Sequence, residues 1–439
     1  MISRLFADGP LLLAALAAVA GLALLFTKHA SAAAWALVGV FVVAHAIVPP
    51  IPLQVTQAGI TFYALDAVAG LMLAIGAVRL LSRETPQPVL IPLAALIVLF
   101  MLHLAWGIAE FGTQMAVNSA RLWLYMLAPL VFAVVALPRW SRSSFLPLIA
   151  GAGALGLFAL AQIARNGLYT ANQFIEINGE FVDARPVTAA GALLIVQCLL
   201  IAVSGRFVRS TAWVIAIGSM GAAVLLIQYR TVWIVAALAA TIAYVKWARI
   251  AIFVNERAAA AAAGVILITA PLFIALAGSS DTFQHSVRSA TGSDSTFGWR
   301  TDSWRLLIGA HSSAQDLLFG LPAGTPLERR IDGQIATQST HSLYVESLLA
   351  FGVIGPLLIG WLWILVLRRR GRAASVLGIS SVAVALLVAS QAVFGITNNL
   401  SAVQGLLLGM LLQAAWLAPQ HQRLTEPRTR VAARPGHAP

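Results

Sequence analysis

Charge is scarce in this chain and cysteine is nearly absent. Only 10% of the 439 residues are Asp, Glu, Lys or Arg, against about 25% in soluble domains. Hydrophobic residues make up 60% of the chain, and its mean hydropathy is +0.87. So few charges do not cover a water-facing surface, which excludes a cytosolic enzyme and a disordered regulator. The single cysteine, Cys198, lies in an apolar run, which excludes a disulfide-built secreted module and any cysteine-based metal spacing. Internal repeats, a Gly-rich phosphate loop and paired metal-ligand motifs are also missing. No stretch of about ten residues alternates as an outer-membrane strand would.

What is present is a series of apolar runs of membrane-spanning length, about 20 residues at 1.5 Å each. They fall near 10–26, 31–49, 58–78, 89–107, 122–138, 144–164, 187–204, 212–228, 232–247, 258–277, 343–367, 373–394 and 400–418. Helices satisfy their own backbone polar groups in lipid, so the expected fold is an all-α polytopic membrane protein of about 12–13 transmembrane helices. On this reading 1–277 holds spans with short loops and an outer segment near 165–186. A long extracytoplasmic loop with short amphipathic helices follows at 278–342, further spans occupy 343–418, and 419–439 is a disordered cytoplasmic tail. Arg4, an apolar run and Ala30-Ser31-Ala32 imitate a signal peptide, but the sidedness of the following loops favours an uncleaved first helix.

The 28 Lys+Arg against 16 Asp+Glu give a net charge of +12, which in a soluble protein would suggest nucleic acid. Here the cations sort by side. Arg79 and Arg83, Arg139 and Arg142, Arg206 and Arg209, Lys246, Arg249 and Arg257, and Arg368 to Arg372 all fall in alternate connections. The positive-inside rule places those connections in the cytoplasm, so much of the charge is topological and no nucleic-acid partner is expected.

Against that background, arginines on the opposite side stand out: Arg121, Arg185, Arg230, Arg300 and Arg305. A guanidinium binds phosphate oxygens in pairs and is weakly hydrated, so several converging at one rim would seat an anionic head group. Snorkelling to lipid phosphates or pairing with Glu176, Glu180 or Asp183 is the alternative for each; Arg230, in a turn with no acid, is the strongest candidate. The run from Trp304 to Phe319 reads as one amphipathic helix on the membrane, stopped by Gly320 and Pro322. His341 opens Thr340-His341-Ser342-Leu343-Tyr344-Val345-Glu346 where the long loop re-enters the apolar region. An imidazole there is a candidate proton acceptor. Asp66, His103 and Glu346 are titratable groups within apolar runs.

Three segments together resemble the O-antigen ligase and O-antigen or exopolysaccharide polymerase superfamily, membrane glycosyltransferases of GT-C type. They are Arg230-Thr231-Val232-Trp233; Arg300-Thr301-Asp302-Ser303-Trp304 leading to Leu318-Phe319-Gly320; and His341-Ser342-Leu343-Tyr344 followed by Gly352-Val353-Ile354-Gly355. Ser342 stands where that family often has Asn, and the Asn-Pro common after the first loop arginine is absent from Arg185-Pro186-Val187.

The resemblance implies a donor saccharide on undecaprenyl pyrophosphate, presented at the outer leaflet of a bacterial inner membrane. It implies inverting, metal-independent transfer with no cofactor, with His341 and Arg300 as catalytic residues. Arg230, Arg185 and Arg121 would bind the pyrophosphate, and Trp304, Tyr344 and Glu346 would position the loop or acceptor. The acceptor would be lipid A core for a ligase, the slightly favoured reading, or a growing glycan for a polymerase. A flippase or transporter of lipid-linked glycan is the alternative of another class; it would show midplane charges and an inverted repeat, of which the sequence has only Asp66, His103 and Glu346.

Overall fold

The structure is a computed structural model. It describes residues 20–48, 50, 51, 53–57, 60–82, 86–136, 139–167, 174–177, 180–183, 185–204, 211–237, 296–311, 313–331, 334–336 and 340–416. The candidate span at 258–277, most of that at 232–247, the start of the long loop and the tail at 419–439 lie outside the described residues, as does most of the first run.

The described residues are mostly helical. Residues 20–28 are helical; then come α1 (Ala30–Phe41), α2 (Ala64–Ser82), α3 (Gln87–Val135), α4 (Leu146–Asn166), α5 (Ala189–Ser204) and α6 (Thr211–Leu226). A helix begins again at 230–237. After it follow α7 (Thr296–Ala310), α8 (Ala314–Phe319), α9 (Leu343–Phe351), α10 (Ile354–Arg368), α11 (Arg370–Leu377), α12 (Ser381–Gly395) and α13 (Ala402–Trp416).

Among the described residues three helical segments are long and apolar enough to cross a membrane: Ala64–Leu81, Gln87–Val135 and Arg142–Asn166. The bent pair α11 and α12 makes a fourth if it is one span, and Ala30–Ala46, Ala189–Ser204, Trp213–Leu226, Ile354–Arg368 and Ala402–Trp416 are shorter apolar helices. The 49 residues of α3 would extend about 74 Å if straight, more than twice the hydrocarbon core of about 30 Å. Gly112 breaks it at φ 79°. Asp66 of α2 pairs with Arg121, and Gly76 packs against Val131 and Phe132, so 113–135 runs parallel to α2. The half before Gly112 therefore returns between them, and the chain reverses at that glycine.

Several expected boundaries change for local reasons. Three short antiparallel hairpins interrupt the all-α plan: β1 (Gln54–Gln57) with β2 (Ile60–Tyr63), β3 (Phe174–Ile177) with β4 (Glu180–Asp183), and β5 (Arg329–Ile331) with β6 (Gln334–Ala336). The expected span at 58–78 thus begins as strand, with Gln54 opposite Tyr63 and Val55 opposite Phe62, and turns helical only at Ala64. The run at 343–367 breaks at Gly352, φ 62°. The run at 373–394 is bent by 110° between α11 and α12, because Gly378 takes the left-handed conformation and Ser380 caps the next helix through Ala383 N. The single amphipathic helix expected over Trp304–Phe319 is two: Ser313 caps α8 through Asp316 N at 3.1 Å, and Gly320 ends it at φ 80°.

Small residues let the helices close, as in other membrane bundles where lipid-like side chains give no drive to associate. Gly405 and Gly409 of α13 face the backbone of α3 at Met126 and Leu130, and Gly156 of α4 faces Ser219 and Met220 of α6. A Cβ on Gly409 would lie 2.5 Å from Leu130 O and 2.6 Å from Ala133 Cβ, whereas one on Gly360 would meet nothing within 4 Å. Gly409→Val is therefore expected to cost about 2 kcal/mol and to lower the thermal unfolding midpoint in detergent, with Gly360→Val near wild type; equal midpoints for the two variants would contradict this packing.

Candidate functional site

Connections gather at two ends of the bundle. One end holds the turn near 28–30, the 139–145 segment and the Arg368–Arg372 turn. The other holds the residues after α1, the β1–β2 hairpin, the chain before α5, the start of the 230–237 helix, and α7 to the start of α9. All the singled-out arginines and His341 belong to this second end.

The chain before α5 is fastened by backbone bonds: Val48 N donates to Pro186 O at 3.0 Å and Thr188 N to Ala46 O at 2.8 Å. This holds Arg185 so that its guanidinium lies over the Tyr229 ring, 4.1 Å from the centroid. Gln228, at φ 61°, turns the chain so that Arg230 opens the next helix. Thr231 shares a 2.6 Å hydrogen bond with Thr397 in the α12–α13 turn. That turn accepts Leu343 N through Asn398 O at 3.2 Å and Ser342 Oγ through Gly395 O at 3.4 Å. One short turn thus ties the Arg230 segment to the His341 segment.

Helix α7 supplies the third side. Arg300 and Trp304 are four residues apart and share a helix face. The Trp304 indole donates to Thr340 O at 2.7 Å, directly before His341. Arg329 of β5 is buried; it donates to Ser303 Oγ at 2.5 Å and to Leu327 O at 2.9 Å, and lies 5.8 Å from the Trp299 ring centroid. Thr340 Oγ donates to Glu346 Oε2 at 2.7 Å, and Ser342 caps α9 through Val345 N at 3.4 Å.

The electrostatics show that these groups converge. Burial, then the Arg185 charge, pushes the pKa of Arg230 down. Burial, then the charges of Arg185 and Arg230, does the same to Arg300. His341 is lowered to about 4, first by burial and then by Arg300 and Arg329. The imidazole is therefore neutral at pH 7, in the form that accepts a proton. Its backbone sits at φ 51°, a conformation uncommon for a residue other than glycine and typical of functional positions.

Two glycine segments lock α8 and α9 together beneath this cluster. Gly320 lies against the Ala350–Phe351 backbone, and Gly352 against that of Leu318 and Phe319. Leu321 N donates to Leu349 O at 2.6 Å and Val353 N to Leu317 O at 2.8 Å. The segment continues to α3, where His103 Nδ1 is bonded to Leu321 O at 2.6 Å and Ala323 N to His103 O at 3.0 Å. His103 is thus a structural anchor for the loop.

Not every expected residue joins the cluster. Arg121 is an ion-pair partner of Asp66 at 3.1 Å, also donates to Asn118 Oδ1 and Thr61 O, and lies 4.8 Å from the Tyr63 ring centroid. Asp66 further accepts from Tyr125 OH at 2.7 Å and Tyr63 N at 2.9 Å. Tyr344 points into the bundle and donates to Ala392 O at 2.8 Å. Glu346 sits below Thr340, not at the rim. Arg305 pairs with Asp302 at 3.3 Å on the surface. Arg329 and the Thr397-Asn398 turn were missed in the sequence. Arg329 lacks an aromatic spacing motif, although Asn398-Asn399 in an otherwise apolar run was a visible polar signal. Among the described residues no group of three or more His, Cys, Asp or Glu is placed to hold a metal ion.

The Asp66–Arg121 pair predicts a stability phenotype: Arg121→Gln should cost about 2–3 kcal/mol by stranding a largely buried carboxylate, and Asp66→Asn/Arg121→Gln less than the sum of Asp66→Asn and Arg121→Gln. Thermal unfolding of the four proteins checks this, and additive losses would remove the coupling. No protein-family model matches this chain, and it has no significant match among curated proteins.

Proposed function

We propose that this chain is a membrane glycosyltransferase moving a saccharide from undecaprenyl pyrophosphate to an acceptor hydroxyl at the outer leaflet. The reading is O-antigen ligase-like, with lipid A core as acceptor; polymerases of the same superfamily share the donor chemistry. The observation that carries it is a chain of neighbouring charges at one end of an apolar bundle: Arg185 and Arg230 act on Arg300, and Arg300 with Arg329 acts on a neutral His341. Bringing like charges together in a partly dehydrated site is costly, and a diphosphate offsets that cost. The three segments that carry the family resemblance supply Arg230, Arg300 and His341.

In this mechanism the acceptor hydroxyl attacks the anomeric carbon while the lipid diphosphate leaves, inverting the centre. Arg300, Arg230 and Arg185 stabilise the negative charge growing on the leaving group. His341 takes the hydroxyl proton. Arg329 positions the imidazole by fixing α7 and by its charge, and Trp304 holds Thr340 so that His341 projects from the turn. A pKa of about 4 makes His341 a weak base in the free protein. A bound diphosphate counters Arg300 and Arg329 and raises the imidazole pKa toward the working pH, so the base strengthens only when the donor is seated. The basic turns at the opposite end of the bundle support an orientation with this site outside the cytoplasm, in a protein of about 12–13 spans in a bacterial inner membrane.

Three expectations follow from these roles. Arg300→Ala or Arg230→Ala should lower transfer about 10²–10³-fold, and His341→Asn, which tolerates the left-handed backbone, about 10²–10⁴-fold. Each should accumulate lipid-linked glycan at the outer face in cells, while accumulation facing the cytoplasm would favour a flippase and normal glycan in all three variants would end the proposal. Because the base works only when deprotonated, kcat/KM should stay level from neutral pH down and fall through about pH 4. The acid limb of kcat should lie at higher pH than that of kcat/KM, and coincident limbs would rule out the donor-induced rise.

A further inference from the structure

Helix α10, which runs from the loop beneath the arginine–histidine cluster toward the opposite end of the bundle, carries a surface that the transfer reaction does not use. Val353, the residue that opens α10, and Leu357, Trp361 and Ile364 within it are exposed and fall four, four and three residues apart, so they share one face of the helix. Arg368, four residues further, continues the stripe and is exposed. From Val353 to Ile364 the helix rises about 16 Å, close to one leaflet's share of a hydrocarbon core of about 30 Å. An apolar stripe one leaflet deep that ends in a guanidinium matches the shape and chemistry of a phospholipid, acyl chain first and phosphate at the end.

The surroundings strengthen the match. Helix α11 turns 110° from α12, so it lies across the end of the bundle, held down by buried Ala373, Ala374 and Leu377, with Arg370 exposed. Arg369 faces the other way, 3.6 Å over the Trp416 ring, and that indole donates to Leu365 O at 3.1 Å. The Arg142 side chain, from a separate connection, packs on Gly378. Tryptophan and arginine at one level mark the polar boundary of a bilayer. Between Glu346 and Glu426 the chain contains no Asp or Glu, so this region supplies no carboxylate of its own.

We propose that α10 and α11 form a binding site for one anionic phospholipid, its chain along Val353, Leu357, Trp361 and Ile364 and its phosphate held by Arg368 and Arg370. The net negative head group distinguishes the ligand from a zwitterionic lipid, whose ammonium opposes the same arginines. The acyl stripe distinguishes it from a soluble phosphate. This site stands independently of the transfer reaction.

The full-length protein, purified in detergent, would be mixed with phosphatidylglycerol or phosphatidylcholine of identical chains, and bound lipid counted by native mass spectrometry. A third arm adds inorganic phosphate in excess over phosphatidylglycerol. Preferential retention of phosphatidylglycerol by the wild type, undisturbed by inorganic phosphate, is the expected result. Arg368→Gln/Arg370→Gln should weaken it about 25-fold, roughly five-fold per arginine near an anionic surface, whereas Arg305→Gln at the other end should leave it unchanged. Equal retention of the two lipids by the wild type would overturn the proposal even if the double variant does not fold. Displacement by inorganic phosphate, or an unaltered preference in a folded double variant, would do the same.

Discussion

Guanidinium groups of like charge repel, and at one end of this bundle three of them are held close enough to depress one another's pKa or that of a neighbour. The architecture around them is what resists that repulsion. Each arginine comes from a different connection, and each connection is fastened separately: the Arg185 segment to the end of α1, the Arg230 segment to the α12–α13 turn, and α7 to Thr340 through Trp304. No single loop has to bear the whole cost. The apolar bundle beneath the cluster keeps the local dielectric low enough for these charges to act on one another.

The same residue type serves three physical ends in this chain. Arg121 is an internal ion pair, sharing Asp66 with Tyr125 and a backbone N–H. Arg369 is a cation stacked on Trp416. Arg185, Arg230 and Arg300 form a field. Aromatic rings recur beside them, Tyr63 by Arg121, Trp416 by Arg369 and Tyr229 by Arg185. What sets the uses apart is whether a carboxylate neutralises the charge, as for Arg121, or other guanidinium groups act on it, as for Arg230 and Arg300. Arg329 bridges two of the categories, bonded to Ser303 and lying by Trp299 while its charge reaches His341.

Glycine links the loop to the bundle. Gly320 and Gly352 adopt positive φ, and each lies against the backbone of the other's segment. A side chain at either place would force apart α8 and the turn after α9, and with them the seat of His341. The Gly-x-x-Gly that follows the histidine therefore has a mechanical meaning: it admits the loop close enough for Leu321 to reach Leu349 and for Ala323 to reach His103.

Composition alone required lipid, because a chain with 10% charged residues has no other solvent, and apolar run length required helices. Arg230 and Arg300 stood out because they fall in connections that alternate with the basic ones, Arg230 in a turn with no acid, and His341 stood out as an imidazole where the long loop meets an apolar run. Arg121 was equally conspicuous and yet belongs to an ion pair, since its partner Asp66 is 55 positions away in the chain and periodicity carries no information across that gap. The hairpins escaped detection because strands of three or four residues are too short to show an alternating pattern. The reversal at Gly112, the breaks at Gly352 and Gly378, and the positions of Arg329 and the Thr397-Asn398 turn were decided by packing. Local sequence sets what each segment can become; which segments meet is set by burial and hydrogen-bond satisfaction over the whole bundle.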